Sequence, residues 1–420
     1  MMANNTSEHV VIVGAGIIGI ACAHYLSKAG MKVTVLEQDA LAAACSFGNC
    51  GYICPSHVLP LTEPNALWMG MKSVFNPRAA FRIRPSLRPA LWQWMWQFAR
   101  RCNHKQMLVA GQALKSMLDS SLHEYKQLMN EEQLACEWQE NGLLYVFKGA
   151  AGMRQFAETD RLLTEHFGVA AIRIDGDALP AFDGALKPGL AGAFHYPDDA
   201  SVRPDLLNSQ WIDRLRASGV EFIEQRRVTG MQKAGGAVKA LETSNGLFEA
   251  ERFVFATGAW SSKLASLLEC RIPVEPGKGY SVTMARPSVC PTHPMLFPEK
   301  KVGVSPFEKG YRLGSMMEFT GFDTSIPPHR IQQLRLSAEP YLMEPHTDPI
   351  LETWYGWRPM TWDSLPVIGR VPNLENGYLA TGHNMLGLTM APATGLLLAE
   401  LMLGRCPHID PEPYSPNRFM

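Results

Sequence analysis

The stretch His9-Val10-Val11-Ile12-Val13-Gly14-Ala15-Gly16-Ile17-Ile18-Gly19-Ile20-Ala21 decides the reading of the whole chain. A short β-branched run, His9 to Val13, ends at a G-x-G-x-x-G. Apolar residues of good helix propensity then run from Ile17 to Ala29, where Gly30 stops them. Lys32 to Leu36 reads as a second strand, closed by Glu37. This is a βαβ start carrying a dinucleotide-binding fingerprint. Gly14 permits the tight turn, Gly16 lets backbone N–H groups approach a pyrophosphate, and Gly19 allows helix to pack on strand. The helix N-terminus offers roughly half a positive charge to the phosphates. Glu37 suits an unphosphorylated ribose and repels a 2′-phosphate. A glycine turn in an ordinary α/β protein is the bland alternative, and the conjunction of strand, helix and acidic residue counts against it.

Two stretches far from this start read as parts of the same site. Val254-Phe255-Ala256-Thr257-Gly258-Ala259-Trp260 is a buried strand ending in a small-residue turn. Gly382-His383-Asn384-Met385-Leu386-Gly387-Leu388-Thr389 precedes an apolar helix that runs to about Leu403. A helix start there aims N–H groups at the negative charge of a reduced flavin. A nicotinamide dehydrogenase needs neither stretch, so the reading favours FAD over NAD. Between these points, residues 61–129 read as helical, broken by Pro77, Pro85 and Pro89. Trp138 to Phe147 reads as a strand pair turning at Asn141-Gly142. Pro204 to Ser218 reads as a helix, and Lys278 to Met284, Gly310 to Gly314 and Tyr378 to Thr381 as strands. The expected architecture is α/β (α+β overall). A discontinuous Rossmann-like domain of 1–60, 195–265 and 350–420 binds the dinucleotide. An antiparallel-sheet substrate domain of 61–194 and 266–349 is inserted into it.

Composition narrows the function classes. The chain has 420 residues, 46% hydrophobic and 19% charged, which excludes wholesale disorder. Its formal net charge of -1 counts against a nucleic-acid binder. No basic leader opens the chain and no apolar run is long enough to span a bilayer, so a cytoplasmic location is expected. Cys45, Cys50 and Cys54 fall at C-x4-C-x3-C, whereas plant-type iron–sulfur spacing is C-x4-C-x2-C, and no metal site is expected. Residues 64–118 contain no Asp or Glu, nine Lys or Arg, and Trp68, Trp92, Trp94 and Trp96. Such a segment suits a peripheral contact with the inner membrane, or a helix buried between domains with a basic rim.

The motifs together resemble the FAD-dependent D-amino-acid oxidase/dehydrogenase superfamily, most closely the bacterial D-amino acid dehydrogenases. The residues that carry the resemblance are Val11 to Gly16, Ser46-Phe47-Gly48-Asn49-Cys50-Gly51, Lys278-Gly279-Tyr280-Ser281, Trp357-Arg358-Pro359-Met360-Thr361 and Thr381-Gly382-His383. It implies an FAD site formed by Gly14, Ala15, Gly16, Ile17, Ile18, Gly19, Glu37, Gln38, Ser46, Gly48, Asn49, Gly51, Val228, Ala256, Thr257, Gly258, Trp260, Gly382, His383, Gly387, Leu388 and Thr389. Arg358 inherits the role of binding the substrate carboxylate, for which a planar guanidinium is suited. Tyr280 and, more weakly, Tyr311 are candidates to assist it, and His57 is the candidate general base. With no Cys in Gly-Trp-Arg-Pro-Met-Thr, the FAD is expected to be non-covalent. The implied reaction takes a D-amino acid to a 2-oxo acid and ammonia, by hydride transfer to flavin N5, with electrons passed to a quinone-type acceptor. Two loops depart from the family pattern: Phe47-Gly48-Asn49-Cys50-Gly51 and Cys54-Pro55-Ser56-His57. D-Proline, cis-4-hydroxy-D-proline, sarcosine or glycine are therefore alternative substrates. A catalytically silent flavin subunit of a larger amine-oxidising complex is an alternative of another class.

Overall fold

The computed structural model describes residues 8–66, 79–84 and 87–420. The opening strand, His9–Val13, lies in the middle of a six-stranded sheet. The spatial order is Val367–Arg370, Gly377–Thr381, Arg252–Phe255, His9–Val13, Lys32–Leu36, Glu221–Ile223. All neighbours are parallel except the first two strands. The central strands are covered on both faces, which is why they read as continuous apolar runs rather than alternating ones. Helix Ile17–Lys28 packs on one face beside helix Gly387–Leu403, and the long helix His104–Glu132 lies over the latter. The first two approach backbone to backbone: a Cβ on Gly395 would sit 2.6 Å from the Ala21 carbonyl oxygen. Tyr125 of the long helix donates to the Leu388 carbonyl at 2.7 Å, which ties it to the start of the apolar helix.

The second sheet has nine strands. Eight follow in the order Ile350–Thr361, Val274–Met284, Gly310–Phe319, Val302–Phe307, Met295–Phe297, Leu143–Phe147, Gly192–Tyr196 and Ile172–Asp175, and Phe81–Ile83 also pairs with Gly310–Phe319. Most of its pairs are antiparallel. Helix Pro328–Ala338 covers part of one face with an apolar core that includes Tyr280, Val282, Tyr311 and Leu313. The other face turns toward the dinucleotide part of the molecule.

The expected α/β class and the strand and helix positions near both ends match the observed elements. One expected element does not form. Asn141-Gly142 does not turn a hairpin, because Leu143–Phe147 is fully buried and both its edges are taken by distant strands, Gly192–Tyr196 and Met295–Phe297. Gln139 contributes an isolated bridge to Ser201 instead. Long-range pairing outcompetes the local turn preference. The expected domain boundary at 350 also cuts differently from the sheets, since Ile350–Thr361 pairs along its length with Val274–Met284 of the second sheet. A small antiparallel sheet, Val228–Ala234, Ala237–Thr243 and Gly246–Glu249, has no counterpart in the sequence reading.

Gly395→Val should force the two helices apart and lower stability by roughly 1–3 kcal/mol in urea unfolding. Gly184→Ala, where an added Cβ meets nothing within 4 Å, should leave the midpoint unchanged.

Candidate active site

A cavity of about 550 Å³ opens at the C-terminal ends of the parallel strands and runs under the second sheet. Val13, Leu36, Ala256 and Thr381, at or just beyond four strand ends, line it. Gly14 turns there at φ +105°, and a Cβ on it would meet the Ala256 carbonyl oxygen at 2.6 Å. Gly16 is different: a Cβ there would meet no protein atom closer than 4.0 Å. Protein packing does not require glycine at 16, and its bare face leaves room in the cavity beside the helix N-terminus. That is the opening a pyrophosphate needs. The helix has no side-chain cap on its N-cap residue. The Ser46 hydroxyl, from the following loop, accepts from the Ile17 N–H at 3.2 Å. Glu37 accepts from the Ala15 N–H at 2.8 Å and the Asp39 N–H at 3.1 Å. Burial pushes its carboxyl up, and those N–H groups work against the shift.

At the other end of the cavity, His383 is fully buried and burial pushes its imidazole down to about 3, so it is neutral. Its Nε2 lies 3.0 Å from Thr394 Oγ1, and that hydroxyl donates to the Met390 carbonyl at 2.8 Å. The hydroxyl proton being engaged, Nε2 carries the ring hydrogen and Nδ1 is left as an acceptor without a partner among the described residues. A buried acceptor of this kind calls for a ligand N–H. The open face at Gly16, the helix N-terminus and this orphaned nitrogen all fit a flavin dinucleotide.

The second sheet meets the dinucleotide part through a floor of glycines. A Cβ on Gly303 would lie 2.7 Å from the Tyr52 hydroxyl, and one on Gly314 2.5 Å from Cys50 Sγ. Glycine lets the 46–52 loop lie directly on the strands. On the same floor, Cβ atoms on Gly279 and Gly356 would lie less than 3.0 Å from the Arg358 guanidinium and the Trp354 indole, respectively. Arg358 lines the cavity half-buried. No carboxylate of the described residues lies within 4.0 Å of it, and its Nη1 donates to the Met316 carbonyl at 2.6 Å. Burial pushes its pKa down, yet a guanidinium stays charged at any physiological pH. Met316 stands at φ +73° where the register of Gly310–Phe319 against Val274–Met284 shifts. The bulge turns its carbonyl onto Arg358.

Of the sequence-predicted cofactor residues, Gly14, Gly16, Ile17, Ile18, Glu37, Gln38, Ser46, Asn49, Val228, Ala256, Thr257, Gly258, Trp260, His383, Gly387 and Leu388 line the cavity. Ala15, Gly19, Gly48, Gly51, Gly382 and Thr389 stand behind it. Gly19 packs on the Gly14 carbonyl, Gly48 on Trp354, Gly51 on the Val202 carbonyl and Gly382 on Thr361. Ala15 binds Glu37, and Thr389 donates to the Tyr52 carbonyl at 3.1 Å. Of the four catalytic candidates, Arg358 alone lines the cavity. Tyr280 points to the opposite face of its strand from Gly279 and donates to Glu318 at 2.7 Å, whose other oxygen takes Arg330. Tyr311 is fully buried in the core beneath and donates to the Pro345 carbonyl at 3.3 Å. His57 lies 3.3 Å from the Tyr145 hydroxyl, and burial pushes its imidazole down. Trp354, Tyr355, Cys45 and the Met316 carbonyl were missed. Strand alternation puts Trp354, Gly356 and Arg358 on one face, a signal that was available.

Fold and cavity together define a flavin-dinucleotide oxidoreductase. The comparisons agree. The chain matches the family described as FAD dependent oxidoreductase (DAO) over residues 9–401. It is 31% identical over 417 residues to a D-amino acid dehydrogenase of Agrobacterium fabrum, covering 98% of this chain and 99% of the relative. The crystal structure of glycine oxidase from Geobacillus kaustophilus aligns with a TM-score of 0.80 at 20% identity, over 99% of this chain and 100% of that one. L-Proline dehydrogenase from P. horikoshii gives 0.72 at 20% identity, over 98% of both chains. The chain belongs to the DAO family of FAD-dependent oxidoreductases, and FAD is its cofactor.

Glu37→Ala should weaken FAD retention by about 10-fold or more, because it removes an acceptor that organises the turn. Flavin released on dilution measures this. Asp199 is buried and holds Ser56 through bonds of 3.0 and 2.6 Å, and burial raises its carboxyl from 3.8 to about 7. A raised folded-state pKa means that this group's contribution is full below about 3.8 and is lost as pH rises toward about 7. Asp199→Asn should therefore show a smaller fall in melting temperature between those two pH values than the unaltered protein.

Proposed function

We propose that this protein is a D-amino acid dehydrogenase: it oxidises a D-amino acid to a 2-oxo acid and ammonia and hands the electrons to a quinone-type acceptor. The observation that carries the reading is Arg358, a cation on the cavity wall with no anionic partner among the described residues. A half-buried charge without a counter-ion is costly, and a carboxylate ligand relieves that cost. Its fork is half-used, because Met316 takes Nη1 and leaves other N–H groups for the substrate. When bound, FAD supplies the two-electron acceptor. The chain's own residues bind and orient the substrate. Arg358 holds the carboxylate and so fixes where the α-carbon lies. The substrate nitrogen must be neutral for its lone pair to assist loss of hydride. His383, neutral and with its pKa near 3, is a poor base for that proton, and His57 is not among the lining residues. The site therefore takes the neutral amine from solution rather than through a dedicated base. The imine product then hydrolyses in water. The D-handedness follows the curated relative's name and the sequence resemblance.

The acceptor reading draws on helix Pro89–Arg101. Trp92 and Trp96 are 50% and 55% exposed on it, Arg100 lies 4.7 Å from the Trp96 ring, and Trp94 faces inward and donates to the Pro273 carbonyl. Aromatic and cationic side chains on one surface suit a membrane interface, where a quinone is available. Among the described residues no helix is long and apolar enough to cross a membrane. Within the 64–118 segment, 67–78 and 85–86, including Trp68, lie outside the described residues.

Anaerobic addition of D-amino acids should bleach the flavin, while the L-enantiomers should not. Bleaching by L-amino acids alone, or by none of them, would overturn the reading. Arg358→Ala should lower kcat/KM by at least about 100-fold with FAD retained. Met316→Val, disfavoured at positive φ, should raise KM, whereas Met316→Gly should not. Simple loss of packing would rank the two variants the other way round.

A further inference from the structure

We infer that the indole of Trp354 is the wall that limits the size of the substrate's side chain, so that the enzyme selects compact α-amino acids, up to a small ring. The inference rests on the proposed binding of the substrate carboxylate by Arg358. Trp354 lines the cavity on the same strand face as Gly356 and Arg358. Its ring packs against two glycines: a Cβ on Gly48, from the flavin-side loop, or on Gly356, from the strand itself, would sit inside the ring's van der Waals surface. Two elements therefore give up side-chain volume to hold one indole, and the indole is clamped rather than free to swing aside.

Its distance from the carboxylate site follows from strand register. Gly279 and Gly356 face each other across the antiparallel pair. The Arg358 guanidinium occupies the space above Gly279, and the outer edge of the Trp354 ring, at Cη2, occupies the space above Gly356. The Cβ positions of such facing residues are about 4.5–5.5 Å apart. Guanidinium and indole edge are thus side by side. A carboxylate docked on Arg358 places its α-carbon next to this edge, and a side chain directed along the floor meets the ring after one or two carbon–carbon bonds. Alanine-sized groups and the five-membered ring of proline fit in that space, and a benzyl group does not. Glycine at 48 is required by this packing, since a side chain there would evict the indole.

The test is the ratio of kcat/KM for D-phenylalanine to that for D-alanine, measured with D-proline alongside on the FAD-loaded protein and on Trp354→Ala and Trp354→Phe. The ratio should rise at least about 10-fold in Trp354→Ala, the range that a changed apolar pocket confers. Trp354→Phe, which keeps a ring on Gly356, should give a smaller rise in the same direction. A ratio unchanged within about 2-fold in both flavin-retaining variants would overturn the inference. So would wild-type protein that already prefers D-phenylalanine. Failure of the underlying reading looks different: either no D-amino acid would reduce the wild-type flavin, or, where one does, Arg358→Ala would leave KM unchanged.

Discussion

Close approach of backbone to backbone is the constraint on which this structure depends. The first strand, its glycine turn and the helix behind it come together only because Gly14 and Gly19 have no side chains to separate them. The same device recurs where the two sheets meet. Gly303 and Gly314 let the loop after the second strand lie on the antiparallel sheet, with Tyr52 and Cys50 directly over bare strand. Glycine inside a strand weakens it, by the entropy it loses and the packing it lacks. The molecule accepts that cost across several strands, and the result is a thin space between a dinucleotide-binding half and a flat floor.

Charge placement in that space follows a single logic. The protein surrounds the cavity with positive ends: the helix N-terminus at Gly16, where the Ile17 N–H meets the neutral Ser46 hydroxyl, and the guanidinium of Arg358, which has no carboxylate within 4.0 Å among the described residues. The acidic group at the dinucleotide end, Glu37, is engaged by the Ala15 N–H of the glycine turn and by the Asp39 N–H beside it. Donors that meet only neutral acceptors gain most once an anion arrives. The strained bulge at Met316 belongs to the same arrangement, since it offers Arg358 a neutral carbonyl in place of a carboxylate and keeps the guanidinium in position without neutralising it.

The dinucleotide half was largely legible in the sequence because its signals are local. Gly14-Ala15-Gly16, Glu37, Thr257-Gly258 and Gly382-His383 each sit at a strand end, and parallel strands bring those ends together. The substrate half was less legible because its geometry is set by register between distant strands. Tyr280 and Gly279 are neighbours in sequence and point to opposite faces, so the tyrosine of a promising motif binds Glu318 beneath the sheet. The false hairpin at Asn141-Gly142 has the same origin, as the edges of Leu143–Phe147 belong to strands distant in sequence, Gly192–Tyr196 and Met295–Phe297. Met316 gave no signal at all, since nothing in Ser-Met-Met-Glu marks a bulge.

In the proposed function, Arg358 and Trp354 together frame the substrate. This framing is tested most directly by the crystal structure of the FAD-loaded protein with a small, unreactive carboxylate analogue of D-alanine. Both carboxylate oxygens should lie on Arg358, which keeps its bond to the Met316 carbonyl, with the analogue's methyl group against the Trp354 edge. A carboxylate bound elsewhere, with Arg358 still joined only to Met316, would contradict it.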